Sequence, residues 1–210
     1  MADREGACRV FRMATEYVRS ANLHAEVEWQ RSAIWGDFSE SEFLREAAWV
    51  ICCSGFREAT VRKIFGYLSL CFCDWESAKA IVQDADRCSL AAQTVFRNDR
   101  KLDALICAAR RVHEVGFSDL RNVIVVDPIV ELQKFAFIGP TTCWHLAKNL
   151  GYDTAKPDRH LVRLAQQFGF ESAFTLCDFV AREFDEQSKV VDLVLWRFIA
   201  DNPSMNWKAA

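Results

Sequence analysis

Apolar residues recur every three or four positions along most of the chain, which is the spacing of an amphipathic helix. The clearest case is a stripe over residues 42–54, preceded by Ser39 and Ser41 as candidate N-caps. Strict alternation of apolar and polar residues, typical of half-buried strands, does not form a convincing succession anywhere. The pattern therefore predicts an all-α protein.

The same spacing predicts a series of further helices along the chain. These lie near 58–70, 75–82, 88–95, 99–115, 128–135, 141–149, 158–168, 171–184 and 186–200. Asp127-Pro128 is a typical helix start, and Leu150-Gly151 is a typical helix end. Val123–Val126 is compatible with a short strand, which is the one alternative to helix that the pattern leaves open.

Composition changes the picture in two respects. With 210 residues, of which 51% are apolar, the chain is long enough to bury a substantial core, and it contains neither a membrane-spanning run nor an apolar leader. We therefore expect a soluble, intracellular protein, cytoplasmic in a bacterium. The nine cysteines are odd in number and several lie in apolar helical patterns, so we expect reduced thiols rather than disulfides.

The cysteine and histidine spacing predicts no metal. Cys71 and Cys73 form a C-x-C pair without a second pair or a nearby histidine, and residues 144–210 offer only Cys177. We therefore expect neither a zinc site nor an iron–sulfur cluster, and no cofactor.

Charge is unevenly distributed along the chain. The formal net charge is −3, but residues 97–111 hold five basic and two acidic residues, and residues 139–170 hold four basic and two acidic ones. The acidic excess lies in 26–46 and 171–192, each with six acidic and two basic residues. This segregation permits a cationic face for a polyanion on an acidic protein, although charge runs are also common on solvated helix faces.

The stretch from Phe135 to Tyr152 combines two helices and a hairpin containing Ile138-Gly139. Such a hairpin leaves backbone N–H groups at the start of the second helix unpaired, where they suit a phosphate. Any side chain at position 139 would hold a nucleic-acid backbone away from these amides. The hairpin alone is equally compatible with an ordinary helix–turn–helix packing unit.

Together with the aspartate downstream, the hairpin resembles the helix-hairpin-helix DNA glycosylases. Ile138-Gly139-Pro140-Thr141-Thr142 is similar to the second half of that family's hairpin, L-P-G-V-G-x-x-T-A, and Pro157-Asp158-Arg159-His160 to its V-D-x-H motif. The resemblance covers roughly residues 42–170. It implies an all-α fold with two helical lobes flanking a cleft, formed by a single domain over 1–210. In that domain a core lobe spans about 42–135, the hairpin and catalytic loop span about 135–165, and 1–41 with 166–210 complete the second lobe.

The resemblance also implies a role for each matched residue. Asp158 would be the catalytic carboxylate, because breaking an N-glycosidic bond develops positive charge on the sugar. Taken alone, without the hairpin and His160, Asp158 is better explained as a helix cap next to Pro157. His160, Thr141 and Lys156 would support the catalytic carboxylate. The predicted contacts to the DNA backbone are Ile138, Gly139, Thr141, Thr142, Lys148 and Arg159.

Two departures from the family pattern affect the predicted chemistry. Phe137 stands at the first glycine of the hairpin, and Thr141 stands where strand-cleaving relatives have a lysine. Without that amine, attack on the sugar to form a Schiff base lacks its usual nucleophile. We therefore expect a monofunctional enzyme that leaves an abasic site, with Lys148 or Lys156 as the alternative amine.

A glycosylase must rotate its target base out of the duplex and fill the gap. The turn Ser54-Gly55-Phe56-Arg57 offers Phe56 or Arg57 as the wedge, and each has a packing or capping role as its alternative. Candidate aromatic walls for the extruded base are Trp29, Trp35, Phe137 and Trp144, although most tryptophans pack in cores.

The sequence thus predicts a monomeric DNA glycosylase that acts on double-stranded DNA carrying a damaged or modified base. Small size and the unusual motifs suggest a hypermodified phage base, such as glucosylated hydroxymethylcytosine, and hence an antiviral role. The alternatives are a noncatalytic helix-hairpin-helix module that binds DNA, and a helical protein-interaction domain.

Overall fold

The computed structural model describes residues 2–203, and every regular element within that range is a helix. The described chain divides into two units, one from residues 2–34 and 151–203 and the other from residues 35–150. We call them the terminal unit and the central unit. The outermost residues of the domain predicted over 1–210 lie outside the described range.

The terminal unit is built around its last helix. It comprises α1 (Arg4–Ser20), α2 (His24–Ser32), α11 (Arg159–Gln167), α12 (Ala173–Phe184) and α13 (Ser188–Asp201). Helix α13 contacts the four others, and its residues 189–195 are all buried, as expected for a helix surrounded by neighbours. The ion pair of Arg197 with Glu26 (2.5 Å) joins α13 to α2.

The central unit places α3 and α7 at its core. Its helices are α3 (Glu40–Cys53), α4 (Glu58–Cys71), α5 (Ala78–Gln83), α6 (Ala85–Ala92), α7 (Asp99–Val115), α8 (Phe117–Val126), α9 (Pro128–Leu132) and α10 (Thr142–Asn149). Helix α3 packs against α4, α7 and α10. Its start is fixed by a capping box in which Ser39 and Glu42 satisfy each other's backbone N–H groups.

The strand alternative for Val123–Val126 is wrong, because these residues form the end of α8. Leu120 and Ile124 are buried on one face, whereas Val126 is 85% exposed, so the β-branched run follows helical rather than alternating burial. Helix α9 begins at Pro128 with Asp127 as its N-cap, as predicted, but it ends at Leu132 instead of near Phe135.

The sequence predicted no membrane span, no metal site and no disulfide, and the described residues bear on each of these three points. No described helix is long and apolar enough to span a membrane. Within residues 2–203 no group of three or more His, Cys, Asp or Glu side chains has the arrangement of a metal site. The nine cysteines all fall in this range as free thiols, and Cys107 is exposed rather than in the core.

Candidate functional site

The hairpin between α9 and α10 keeps a tight turn despite the phenylalanine at its centre. Phe137 has φ +64°, a left-handed conformation that glycine adopts readily and a bulky side chain adopts at a cost. The N–H of Ile138 donates to the carbonyl of Phe135 (3.1 Å), and the N–H of Cys143 donates to the carbonyl of Gly139 (2.9 Å). The backbone geometry of a glycine is therefore retained at a position that carries an aromatic ring.

The amides of the hairpin are only partly available to a ligand. The sequence predicted unpaired amides that point outward from this hairpin. The N–H of Gly139 instead donates to Oγ1 of Thr142 (2.7 Å), so this amide is not available. The N–H groups of Thr141 and Thr142, at the start of α10, have no partner within residues 2–203. These two amides are the anion-binding donors that the hairpin offers.

Neither the backbone conformation nor the packing at residue 139 requires a glycine. Its φ is outside the left-handed region, and a Cβ atom built on it would meet nothing within 4 Å. Residues 137–142 line, together with Ser54, Gln133 and Phe135, an open depression of about 500 Å³ in the central unit. The space above Gly139 is thus open to an incoming backbone, as the sequence argument requires.

The turn Ser54–Arg57 connects the end of α3 to the start of α4. Gly55 has φ +77°, and the N–H of Phe56 donates to the carbonyl of Cys53 (3.1 Å), which closes the C-terminus of α3. Phe56 is 42% exposed and packs edge-on against Phe96, with ring centroids 5.5 Å apart. Arg57 is exposed and forms no ion pair within the described chain, so of the two wedge candidates it has the freer side chain.

Lys101 joins this turn to the hairpin, a role that sequence reasoning missed. Its Nζ donates to the carbonyls of Ile51, Cys52 (3.1 Å) and Ser54 (2.6 Å). It also lies 5.1 Å from the ring centroid of Phe56 and 5.0 Å from that of Phe137. Lys101 is only 2% exposed, so it does not contribute to the cationic face predicted for 97–111.

Other cations of that segment do reach the surface. Arg97, Arg100 and Arg110 are exposed, and the guanidinium of Arg100 lies 5.9 Å from the ring centroid of Phe137. Arg111 is instead half-buried and 3.8 Å from Glu131. Arg100 and Arg57 are therefore the exposed cations that accompany the hairpin and the turn.

Asp158 lies in the terminal unit, as the N-cap of α11. Its Oδ1 accepts the N–H groups of His160 (2.9 Å) and Leu161 (3.1 Å), whereas its Oδ2 accepts no hydrogen bond within the described chain. The side chain is half-buried. The capping role is thus real, and it leaves one carboxylate oxygen available for other chemistry.

His160 lies next to this carboxylate, and its pKa is lowered from the ordinary value. Burial lowers its pKa most, the charge of Asp158 opposes that shift, and Arg159, Arg163 and Lys156 lower the pKa further. Its Nε2 lies 3.4 Å from Nε of the exposed Arg159. These cations surround the start of α11 and make its surroundings electropositive.

The loop that leads to Asp158 is anchored on α13. The N–H of Lys156 donates to Oδ2 of Asp192 (2.7 Å), and the N–H of Lys189 donates to Oδ1 of Asp153 (3.0 Å). Nζ of Lys189 donates to the carbonyls of Gly151 (3.3 Å) and Ala33. Asp192 is 2% exposed, and an aspartate within the apolar run Val190–Leu195 was the available sequence signal for this role.

Lys148, a predicted contact to the DNA backbone, is buried in the central unit. Lys148 is 4% exposed, and its charge lies close enough to Glu46 to lower the pKa of that carboxyl. Burial outweighs this effect and the hydrogen bond from Nδ2 of Asn149 (2.8 Å), and it raises the pKa of Glu46 to about 7. Lys148 thus faces a carboxyl inside the central unit.

The predicted aromatic walls are distributed over both units. Trp29 lies in α2 of the terminal unit and is 42% exposed, whereas Trp35, Phe137 and Trp144 lie in the central unit. Trp35 packs on Phe38 (5.7 Å between ring centroids) at the edge of an aromatic cluster with Phe43. Of these four side chains, Phe137 is the one that lines the depression at the hairpin.

Comparison with known proteins places this fold. No family model and no curated protein matches the sequence. Among solved structures, the 8-oxoguanine DNA glycosylase of Thermotoga maritima superposes with a TM-score of 0.55 and 14% identity, over 91% of this chain and 96% of that one. The 8-oxoguanine glycosylase/lyase of Methanocaldococcus jannaschii, solved with a 15mer DNA containing 8-oxoguanine, gives 0.54 and 15%, over 92% and 98%.

At these identities the likeness establishes the fold. The chain has the all-helical fold of these two DNA glycosylases, and the all-α fold predicted from the sequence is confirmed.

Proposed function

We propose that this protein is a DNA glycosylase that releases a base by hydrolysis and uses Asp158 as its catalytic carboxylate. The observation that carries the proposal is that a chain with this fold holds a half-buried aspartate on an anchored loop, with Oδ2 unpartnered within the described chain. Such an oxygen stabilises the positive charge that develops on the deoxyribose, or orients the attacking water.

The DNA backbone is bound by the hairpin in this proposal. The N–H groups of Thr141 and Thr142 provide two donors, the glycine at 139 permits close approach, and the exposed Arg100 adds charge near Phe137. The turn at Phe56 and Arg57 enters the space that the extruded nucleotide leaves. Phe137 is the proposed contact for the base itself, because it is the one of the four candidate aromatic side chains that lines the depression at the hairpin.

Base release is proposed to leave an abasic site without strand cleavage. Thr141 provides a hydroxyl and no amine, Lys148 is buried beside Glu46, and Lys101 is occupied by three carbonyl groups. Lys156 is the remaining amine close to Asp158 in the sequence, and the proposal requires that it does not attack the sugar. Water is then the nucleophile that completes the reaction.

The test is a panel of duplexes that carry one modified base each. The first base is 8-oxoguanine, because both structural neighbours are 8-oxoguanine enzymes, followed by alkylated purines, mismatched pyrimidines and glucosylated hydroxymethylcytosine. Each product is divided, and half is heated in alkali before strand analysis. Cleavage only after alkali supports the proposal. Cleavage without alkali overturns the monofunctional part, and DNA binding with no base release from any duplex favours a noncatalytic helix-hairpin-helix module.

A further inference from the structure

Lys101 is a buried cation that no carboxylate accompanies. It is 2% exposed, and within the described chain its ammonium forms no ion pair; its partners are the carbonyls of residues 51, 52 and 54. Moving an ammonium out of water costs several kcal/mol unless its N–H groups are satisfied. Three carbonyls at the C-terminus of α3 satisfy them, at the negative end of that helix.

The same ammonium contacts the two segments to which the proposed function assigns the DNA. The ring centroids of Phe56, in the turn, and of Phe137, in the hairpin, lie 5.1 Å and 5.0 Å from Nζ. A cation over an aromatic face at this distance is attracted by the ring quadrupole, and more strongly when it is desolvated, as Lys101 is. One side chain therefore connects the end of α3, the turn and the hairpin.

The position of Lys101 in the sequence makes this connection rigid. It lies in the first turn of α7, where its own N–H donates to Oδ1 of Asn98 (3.2 Å), and it continues the buried stripe of Leu105, Ala108 and Val112. Because α7 packs directly on α3, the Lys101 side chain starts from a fixed backbone.

We propose that Lys101 is a positioning residue that holds the turn 54–57 against the hairpin, so that the turn keeps its place while it replaces an extruded base. This inference rests on the proposed glycosylase function. Extruding a paired base costs free energy, which contacts between the turn and the emptied space in the duplex partly offset. A turn that moved away from that space would lose these contacts. Lys101 touches neither the base nor the sugar in this proposal; it acts through Phe56 and Arg57.

The experiment compares two duplexes under single-turnover conditions. One carries 8-oxoguanine opposite cytosine, and the other carries it opposite a tetrahydrofuran abasic analogue, so that the target base is already unpaired. If the panel shows release of a different base, that base replaces 8-oxoguanine in both. Lys101→Met is measured beside Lys189→Met, which removes another buried lysine, 3% exposed, that also donates Nζ to backbone carbonyls.

We expect K101M to slow release from the paired duplex by about tenfold and from the unpaired duplex by less than about threefold, because the cost of unpairing is already met there. K189M should change both rates by the same factor. Equal slowing of both duplexes by K101M, as a merely structural role would give, overturns the inference while the glycosylase activity of the wild type stands. If the wild type releases no base from either duplex, the proposed function and this inference both fail.

A variant that does not fold leaves the inference testable. If K101M is unfolded, Lys101→Arg is measured in the same way, because it keeps the charge and replaces the compact ammonium with a planar fork that cannot reproduce the three carbonyl contacts. The ratio of the paired to the unpaired rate then decides: a reduced ratio supports the inference, and an unchanged ratio overturns it.

Discussion

The backbone N–H of Lys156 donates a 2.7 Å hydrogen bond to Oδ2 of Asp192, a carboxylate that is only 2% exposed. This bond fixes the loop two residues before Asp158, and so it ties the proposed catalytic group to the most buried helix of its unit. Asp158 can both cap a helix and act in catalysis, because Oδ1 accepts the N–H groups at the start of α11 and Oδ2 accepts no hydrogen bond within the described chain.

Asp192→Ala tests whether this anchor matters for catalysis. Removing the acceptor leaves the Lys156 N–H unpaired and should lower the free energy of unfolding by about 1–3 kcal/mol. We expect single-turnover base release to slow by about tenfold or more, because small misplacement of a reacting group is costly. Asp192→Asn keeps an oxygen acceptor and should recover most of the rate. Full activity in the alanine variant would show that the loop needs no anchor.

The strain at Phe137 predicts an unusual order of stabilities. Alanine and glycine at this position both remove the ring, but only glycine also relieves the left-handed φ of +64°. Urea unfolding should therefore find Phe137→Gly more stable than Phe137→Ala by about 1 kcal/mol, the reverse of the order expected at positions with ordinary φ. An alanine variant that is as stable as the glycine variant would contradict the backbone geometry of the hairpin.

Arg100 is expected to contact DNA phosphate. Arg100→Gln should weaken binding to any duplex and reduce the slope of log K against log salt by about 1, since one fewer counterion is released. The matched control is Arg87→Gln, which removes an exposed arginine of α6 that lies 3.5 Å from Asp84. Equal salt slopes for both variants would place the DNA elsewhere.

Glu46 gives the protein a pH-dependent stability with a defined sign. Burial raises the pKa of its carboxyl from 4.5 to about 7, so its contribution is fully present below 4.5 and is lost as the pH rises through 7. Relative to Glu46→Gln, the wild type should lose on the order of 2 kcal/mol between about pH 4.5 and pH 8. The measurement is urea unfolding at several pH values.

Glu42→Gln is the control for that profile. Hydrogen bonds from the backbone and side chain of Ser39 lower the pKa of Glu42, so this carboxyl stays ionised above its usual pKa. Its replacement should leave most of the pH dependence in place and weaken it slightly, because the charge of Glu42 contributes to the raised pKa of Glu46. Parallel profiles for the wild type and E46Q would refute the assignment to Glu46.

Much of the fold followed from local pattern, because capping signals and apolar spacing act within one helix. Ser39, Asn98 and Asp127 each cap the helix that the sequence predicted behind them. The Val123–Val126 segment misled because β-branched residues favour strands, whereas burial of Leu120 and Ile124 against the rest of the unit decided for helix.

The site was predictable where a motif is contiguous, and less so where burial decides. The hairpin and Asp158 are adjacent in sequence to their own helices, so their local geometry could be anticipated. Lys101 and Lys148 were counted as surface charge, because a sequence does not show which lysine is covered by neighbouring helices. The Gly139 amide was likewise counted as available, although Thr142 stands three residues after it, the spacing at which a side chain reaches back to the N–H group at a helix start.

The most direct test of the account is Asp158→Asn, measured by single-turnover base release and by DNA affinity on the duplex that the wild type processes. Asparagine keeps Oδ1 to cap α11 and removes the charge, so stability and DNA affinity should change little while base release falls by about a thousandfold. A variant that releases the base at the wild-type rate would contradict the assignment of Asp158 as the catalytic group.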